Sequence, residues 1–276
     1  MQFALGNSPV AIHPGSDPIT QIMARSSAIT REPLRQALLL PPGFSAIALR
    51  EGGDAFAHAV AHAGALGAAS IVWVRRFDLI EFAVVLEPEA PLATARLSHY
   101  LAMTALADAL AVHAPPERPL HFGWPDALVM DHGLVGGGRT AWPADCTEDQ
   151  TPDWIVFGAM LRGTAMAEID GLRRLAAPGA GVALDEIGFT DLTSEAVIEG
   201  FCRHLMLGVE LWTAKGARAI ARQWLERIRP ETGIRHGLSP EGDLIATGQA
   251  GETRKLLIEA LREPSWFDPT RGEPKL

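Results

Sequence analysis

The sequence is short of several residues and patterns on which common classes of protein depend. It has two cysteines in 276 residues, Cys146 and Cys202. They lie in unrelated contexts and form no Cys-x-x-Cys pair, which argues against a disulfide scaffold and a zinc site. No run approaches the roughly 18 apolar residues of a membrane span, and the N-terminal residues lack the basic stretch and following apolar segment of a secretory leader. We therefore expect a cytoplasmic protein without membrane contact and without a bound metal.

Lysine is scarce and unevenly placed. The only lysines are Lys215, Lys255 and Lys275, and every other cation is arginine. The formal net charge is −9 at pH 7. Because binding to a phosphate backbone depends on clustered cations that release counterions, nucleic acid is not expected as a partner.

The hydrophobic residues, which make up 47% of the sequence, suffice for a sizeable core. A β-prone run at 44–50 precedes a helical pattern that begins at Asp54, whose side chain suits an N-cap. Two further β-prone runs, 70–76 and 79–88, are separated by a connection of hairpin length. The remaining pattern adds a long alanine-rich helix at 92–114, several more strands and two late helices.

These elements predict an α/β fold with a mixed, largely antiparallel sheet and helices packed on one side. Residues 1–40 read as an N-terminal arm and residues 41–230 as the main domain. Beyond Pro230, short β-like runs and turn dipeptides predict a small C-terminal β domain over 231–276. The sequence leaves the oligomeric state open.

Three stretches could surround a small molecule. The turn at 50–54 precedes a helix whose first amides favour an anion, or it is simply a capped turn. The turn at 124–126 could present an indole and a carboxylate to a ligand, or it fills the core. The glycines at 136–138 could admit a ligand to bare backbone, or they form a β-bulge.

Arg75 and Arg76 alternate faces on one strand, so at most one of them can point into a site. The candidate ligand-binding residues are Arg50, Gly52, Gly53, Asp54, Arg75, Trp124, Pro125, Asp126, Gly136, Gly137 and Gly158. The candidate catalytic residues are Asp126 and His132.

Taken in order, these elements resemble the biotin/lipoate protein ligase family over roughly residues 44–250. REGGDAF matches the family's first turn, GWPDA its Trp-Pro turn, GLVGG its glycine hairpin and IVFGAML a later strand. IRHGLSPEGDLI looks like the start of the family's C-terminal barrel. The resemblance implies a ligase-like fold with a small β-barrel-like appendix. It also implies a reaction that joins biotin or lipoate to AMP and passes the acyl group to a carrier protein.

Two cationic features of that family are missing from this sequence. Its arginine- and glycine-rich loop would follow residues 70–76, but VWVRRFDLIEF turns directly back. Gly133, next to His132, stands where the family has a hairpin lysine. Loss of a positioned cation at a developing anion costs about 2.7–4 kcal/mol. ATP-dependent ligation is therefore not expected.

The resemblance leaves two functional interpretations. In the first, the protein handles a biotinyl, lipoyl or other acyl group for a carrier protein with atypical catalytic residues, and its ligand is biotin, lipoate or an acyl-adenylate. In the second, it is a catalytically silent small-molecule-binding or scaffolding protein. The octanoyl-transferase branch of the superfamily uses a cysteine nucleophile assisted by a lysine, and Cys146 is the candidate counterpart here. Its acidic loop would raise the thiol pKa and weaken it as a nucleophile.

Overall fold

The computed structural model describes residues 37–165 and 181–275. The predicted N-terminal arm, residues 1–40, lies almost entirely outside the described residues. The chain from Leu38 onward groups into one compact unit. The boundary proposed near residue 230 remains a prediction.

A seven-stranded sheet forms the centre of this unit, in the order β1-β2-β3-β7-β6-β5-β4. The strands are β1 (Ser45–Leu49), β2 (Ser70–Val74), β3 (Leu79–Leu86), β4 (Leu120–Gly123), β5 (Ala127–Met130), β6 (Gly133–Ala141) and β7 (Ile155–Arg162). β1 and β2 pair in parallel, and the other neighbours pair antiparallel. The predicted mixed, largely antiparallel sheet is confirmed.

Helices cover both faces of the sheet, so the prediction that they pack on one side is wrong. Helix α1 (Ala55–Leu66) lies on one face through a row of buried alanines spaced four apart, which bring it close to the strands. The opposite face carries the short α2 (Leu92–Ala95), α3 (Ser98–Ala111), α4 (Ser194–Lys215) and α5 (Ala217–Leu225). The central strands are therefore buried on both faces, which explains their continuous apolar runs.

The first helix begins where the sequence predicted. The Asp54 side chain accepts a hydrogen bond from the Ala57 amide at 2.8 Å, the arrangement expected of an N-cap. β2 and β3 are joined by four residues, Arg75–Asp78, and form the predicted antiparallel pair. Four residues leave no room between these two strands for the arginine- and glycine-rich loop of the family.

The C-terminal part of the chain carries two small sheets. Strands β8 (Arg235–Leu238), β9 (Leu244–Gly248) and β10 (Gly251–Lys255) form the first, and α6 (Leu257–Ala260) follows them. Strands β11 (Phe267–Asp268) and β12 (Glu273–Pro274) pair with each other as the second. The predicted barrel-like closure is not confirmed. Within the described residues, no helix is long and apolar enough to cross a membrane.

Candidate functional site

Two of the predicted glycines, Gly137 and Gly158, lie on the side of the sheet that packs against α1, which we call the α1 face. A Cβ on Gly158 would lie 2.5 Å from the Phe56 ring of α1. A Cβ on Gly137 would overlap the Asp126 carbonyl oxygen and lie 2.5 Å from the Trp266 ring. The protein's own groups therefore cover the bare backbone that the sequence assigned to a ligand.

Gly136 has a different role. Its φ is +140°, and an added Cβ would overlap the Met160 carbonyl oxygen. The pairing of β5 with β6 shifts register beside it. Gly136 thus serves a β-bulge and a close approach of strands, which is one of the two interpretations left open by the sequence.

Arg139 is a cation of the α1 face that the sequence prediction missed. Its guanidinium carbon lies 4.4 Å from the centre of the Phe56 ring and 4.6 Å from that of Phe267. One guanidinium nitrogen donates to Asp54 Oδ1 at 3.1 Å. Burial lowers the pKa of Arg139, and the charges of Asp54 and Glu81 oppose that shift. Because side chains alternate along β6, Arg139 lies on the same face as Gly137, and this alternation could have identified Arg139 from the sequence.

Two carboxylates of the protein, those of Glu81 and Asp54, already accept hydrogen bonds at the N-terminus of α1. Glu81 of β3 is 3% exposed, and its Oε1 accepts from the Ala55 amide at 2.7 Å. Burial raises the pKa of Glu81 above its usual range. Asp54 satisfies the Ala57 amide in the same turn. These first amides, which would otherwise favour a phosphate, are therefore engaged by two carboxylates.

Asp126 anchors a segment from the C-terminus of the chain. Its carboxylate accepts from the Ser265 amide at 2.9 Å and from the Ser265 hydroxyl at 2.6 Å. The adjacent Trp266 is 1% exposed, and its Nε1 donates to the Gly138 carbonyl oxygen at 2.9 Å. Burial raises the pKa of Asp126 to about 6, although the Ser265 hydrogen bonds and Lys275 oppose the shift.

Trp124 points away from this face. Its Nε1 donates to the Tyr100 hydroxyl at 2.8 Å, and that hydroxyl donates to the Gly242 carbonyl oxygen at 2.6 Å. The carbonyl oxygen of Pro125 lies 3.2 Å from Nε2 of His99, a fully buried residue of α3. Burial lowers the pKa of His99 to about 4. Trp124 and Pro125 are therefore packed into the protein on the other face of the sheet, and Asp126 alone of this turn reaches the α1 face.

Of the two neighbouring arginines, Arg76 approaches the C-terminal segment and Arg75 does not. Arg76 pairs with Asp78 at 2.6 Å and with Glu273 at 3.6 Å. Arg75 is exposed, with its guanidinium carbon 5.1 Å from the centre of the Trp73 ring. Trp73 belongs to the core on the opposite face, so Arg75 does not join the site.

The remaining candidates lie at the surface. His132 is exposed at the tip of the β5–β6 hairpin, where it and Asp131 both have positive φ angles. Arg50 and Gly52 are exposed in the turn before α1, and the Gly53 amide donates to the Arg50 carbonyl oxygen at 2.8 Å. The structure thus brings Asp54, Asp126, Gly137 and Gly158 to one face and leaves the other candidates outside it. Among residues 37–165 and 181–275, no cluster of potential metal ligands occurs.

Comparison with known proteins agrees with this architecture. The model of the biotin/lipoate A/B protein ligase family matches residues 40–226. A biotin protein ligase-like protein of unknown function from Silicibacter sp. TM1040 has a TM-score of 0.69 at 25% identity, covering 81% of this chain and 98% of that one. Apo biotin protein ligase from Aquifex aeolicus gives 0.59 at 12% identity, covering 77% and 96%. The same ligase in complex with biotin and ATP gives 0.56 at 13%, covering 77% and 95%. No curated protein matches significantly.

Proposed function

Because the chain belongs to the biotin/lipoate A/B protein ligase family, we propose that it binds a small carboxylic acid of the biotin or lipoate class without joining it to AMP. A ligase with the same fold has been solved with biotin and ATP. We assign the ligand to the α1 face beside Gly137, where the Trp266 ring of the same chain now lies. The proposal includes a cytoplasmic location and an acyl- or biotin-carrier protein as partner.

One observation carries the proposal: two arginines of the α1 face, Arg139 and Arg76, are already paired with carboxylates within the protein. Arg139 faces Asp54 at 3.1 Å, and Arg76 faces Asp78 at 2.6 Å. Glu81 occupies the first amide of α1. A nucleotide phosphate would have to displace these carboxylates and would meet their charge at short range. Among the described residues, the pairing of Arg139 and Arg76 therefore counts against ATP, whereas an apolar acid needs fewer free cations.

Cysteine-dependent acyl transfer has less support. Cys146 packs with the cluster around Leu92 and Ile155, and Trp266 of the α1 face belongs to a different cluster. Burial raises the pKa of the Cys146 thiol, and Asp145 and other nearby carboxylates add to the shift. A thiol held protonated in this way is a weak nucleophile.

The proposal is tested by isothermal titration together with ATP–pyrophosphate exchange. The titrations use biotin, lipoate and octanoate and the adenylate of each acid. We expect at least one acid to bind, its adenylate to bind no more tightly, and exchange to stay at the protein-free background. Biotin protein ligase from Aquifex aeolicus is the positive control for exchange.

A matched variant tests whether the charge of Asp54 is what disfavours the nucleotide phosphate. Asp54→Asn retains a good N-cap residue but removes the charge that faces Arg139. It should tighten binding of the adenylate and leave binding of the free acid nearly unchanged. Exchange by the natural protein with any acid would refute the proposal. Failure of every acid and adenylate to bind would also refute it and would favour a scaffolding role.

A further inference from the structure

The last described stretch of the chain, Ser265–Lys275, lies across the face to which the ligand has been assigned. We call it the C-terminal cover. Its Trp266 ring lies on the bare backbone of Gly137, and the ring nitrogen bonds to the Gly138 carbonyl oxygen. Phe267 closes one side of Arg139. The cover therefore occupies the space that a ligand on the glycine strand would need.

The cover makes its own backbone pairing and does not extend the central sheet. Strands β11 and β12 pair with each other as a separate two-stranded sheet. The Lys275 amide donates back to the Trp266 carbonyl oxygen at 2.8 Å. Because these hydrogen bonds lie inside the cover, they can persist when it leaves the sheet.

Few contacts hold the cover in place. Trp266 completes a small apolar cluster with Leu79, Ala127 and Met160, against which Leu134 and Phe267 also pack, and this cluster is separate from the main core. The polar attachments are the amide and hydroxyl of Ser265 to Asp126, Trp266 Nε1 to the Gly138 carbonyl oxygen at 2.9 Å, Arg162 Nη2 to the Pro274 carbonyl oxygen at 3.0 Å, and Arg76 to Glu273 at 3.6 Å. Each of these contacts involves a side chain, either of the cover or of the rest of the protein. None is a ladder hydrogen bond of the seven-stranded sheet, so their loss leaves that sheet intact.

From this arrangement we propose that the C-terminal cover is an autoinhibitory element, and that a small molecule reaches the glycine strand only when the cover swings off. Trp266 acts as an internal competitor for the slot above Gly137. The cover can open locally because it is a self-paired hairpin fixed by one buried ring and a few side-chain contacts. This inference rests on the proposed function, since it concerns access to the same face.

Hydrogen exchange on the full-length protein tests the opening without any ligand. In the natural protein, amides of the cover should exchange at least tenfold faster than those of β6 and β7. Trp266→Ala should accelerate exchange in the cover only. Trp142→Ala is the matched control, because it removes a partly buried indole that packs against the main core, and it should leave the cover unchanged. Exchange of the cover at the rate of β6 and β7 in the natural protein would overturn the proposal.

Titration with biotin and lipoate tests the competition. A probe that binds should do so at least tenfold more tightly to Trp266→Ala than to the natural protein, and it should accelerate exchange in the cover when bound. Equal affinity for both proteins, with unchanged exchange, would overturn the cover as an inhibitor while leaving the proposed function standing. If neither probe binds either protein, the proposed function fails, and the exchange rates alone decide whether the segment opens.

Discussion

The buried carboxylate of Asp126 should make the protein more stable in mild acid. Asp126 is 1% exposed, and burial raises its pKa from 3.8 to about 6. A carboxyl whose folded-state pKa is raised binds its proton more tightly in the folded protein. Its contribution to stability is therefore complete below pH 3.8 and is lost as the pH rises through about 6.

The size of this effect follows from the two pKa values. Between pH 7 and pH 5, protonation of Asp126 should increase the free energy of unfolding by about 1.4 kcal/mol. Other groups titrate over the same range, so the natural protein is compared with Asp126→Asn, whose side chain is neutral throughout. The measurement is urea unfolding at pH 5, 6 and 7 for both proteins.

A second variant checks the role of Ser265. Its hydroxyl donates to the charged carboxylate at 2.6 Å and thereby holds the Asp126 pKa down. Ser265→Ala should raise that pKa further and move the stabilisation to higher pH. A difference between the natural protein and Asp126→Asn that stays constant from pH 5 to pH 7, or that has the opposite sign, would refute the reasoning.

Three further predictions follow from the same face and its surroundings. Gly137→Ala should cost about 1–3 kcal/mol in urea unfolding, because its Cβ meets backbone and the Trp266 ring, whereas Gly52→Ala should stay within about 0.5 kcal/mol. Asp54→Ala should cost more than Thr193→Ala in the same assay, because both remove an N-cap worth about 1 kcal/mol but only Asp54 also pairs Arg139. Native Cys146 should react with iodoacetamide at neutral pH more slowly than in the urea-unfolded chain, and faster labelling would contradict its raised pKa.

The order of the elements was accessible from the sequence because each is signalled locally. Asp54 before the alanine-rich helix, the short connection after β2 and the apolar strand runs all depend on neighbouring residues. The Trp-Pro-Asp turn and the glycine hairpin, read with that order, gave the family correctly.

The face of the sheet on which each side chain lies was harder to predict, because it depends on contacts between residues distant in sequence. Trp124 and Asp126 are two positions apart, yet one bonds to Tyr100 on the helical side and the other to Ser265 on the α1 face. Arg139 was missed because its partners, Phe56 and Phe267, come from opposite ends of the chain. A bulge beside Gly136 also shifts the register on which strand alternation relies.

The four-residue connection between β2 and β3 bears on the kinetics of ligand exchange. A connection of that length is too short to fold over the sheet as a gate, so under the proposed mechanism ligand entry and departure depend on the C-terminal cover. Substitutions within Arg75–Asp78 should then leave the association rate constant almost unchanged, provided that Arg76 keeps its contact with Glu273. Shortening the chain from its carboxyl end should raise that rate constant instead.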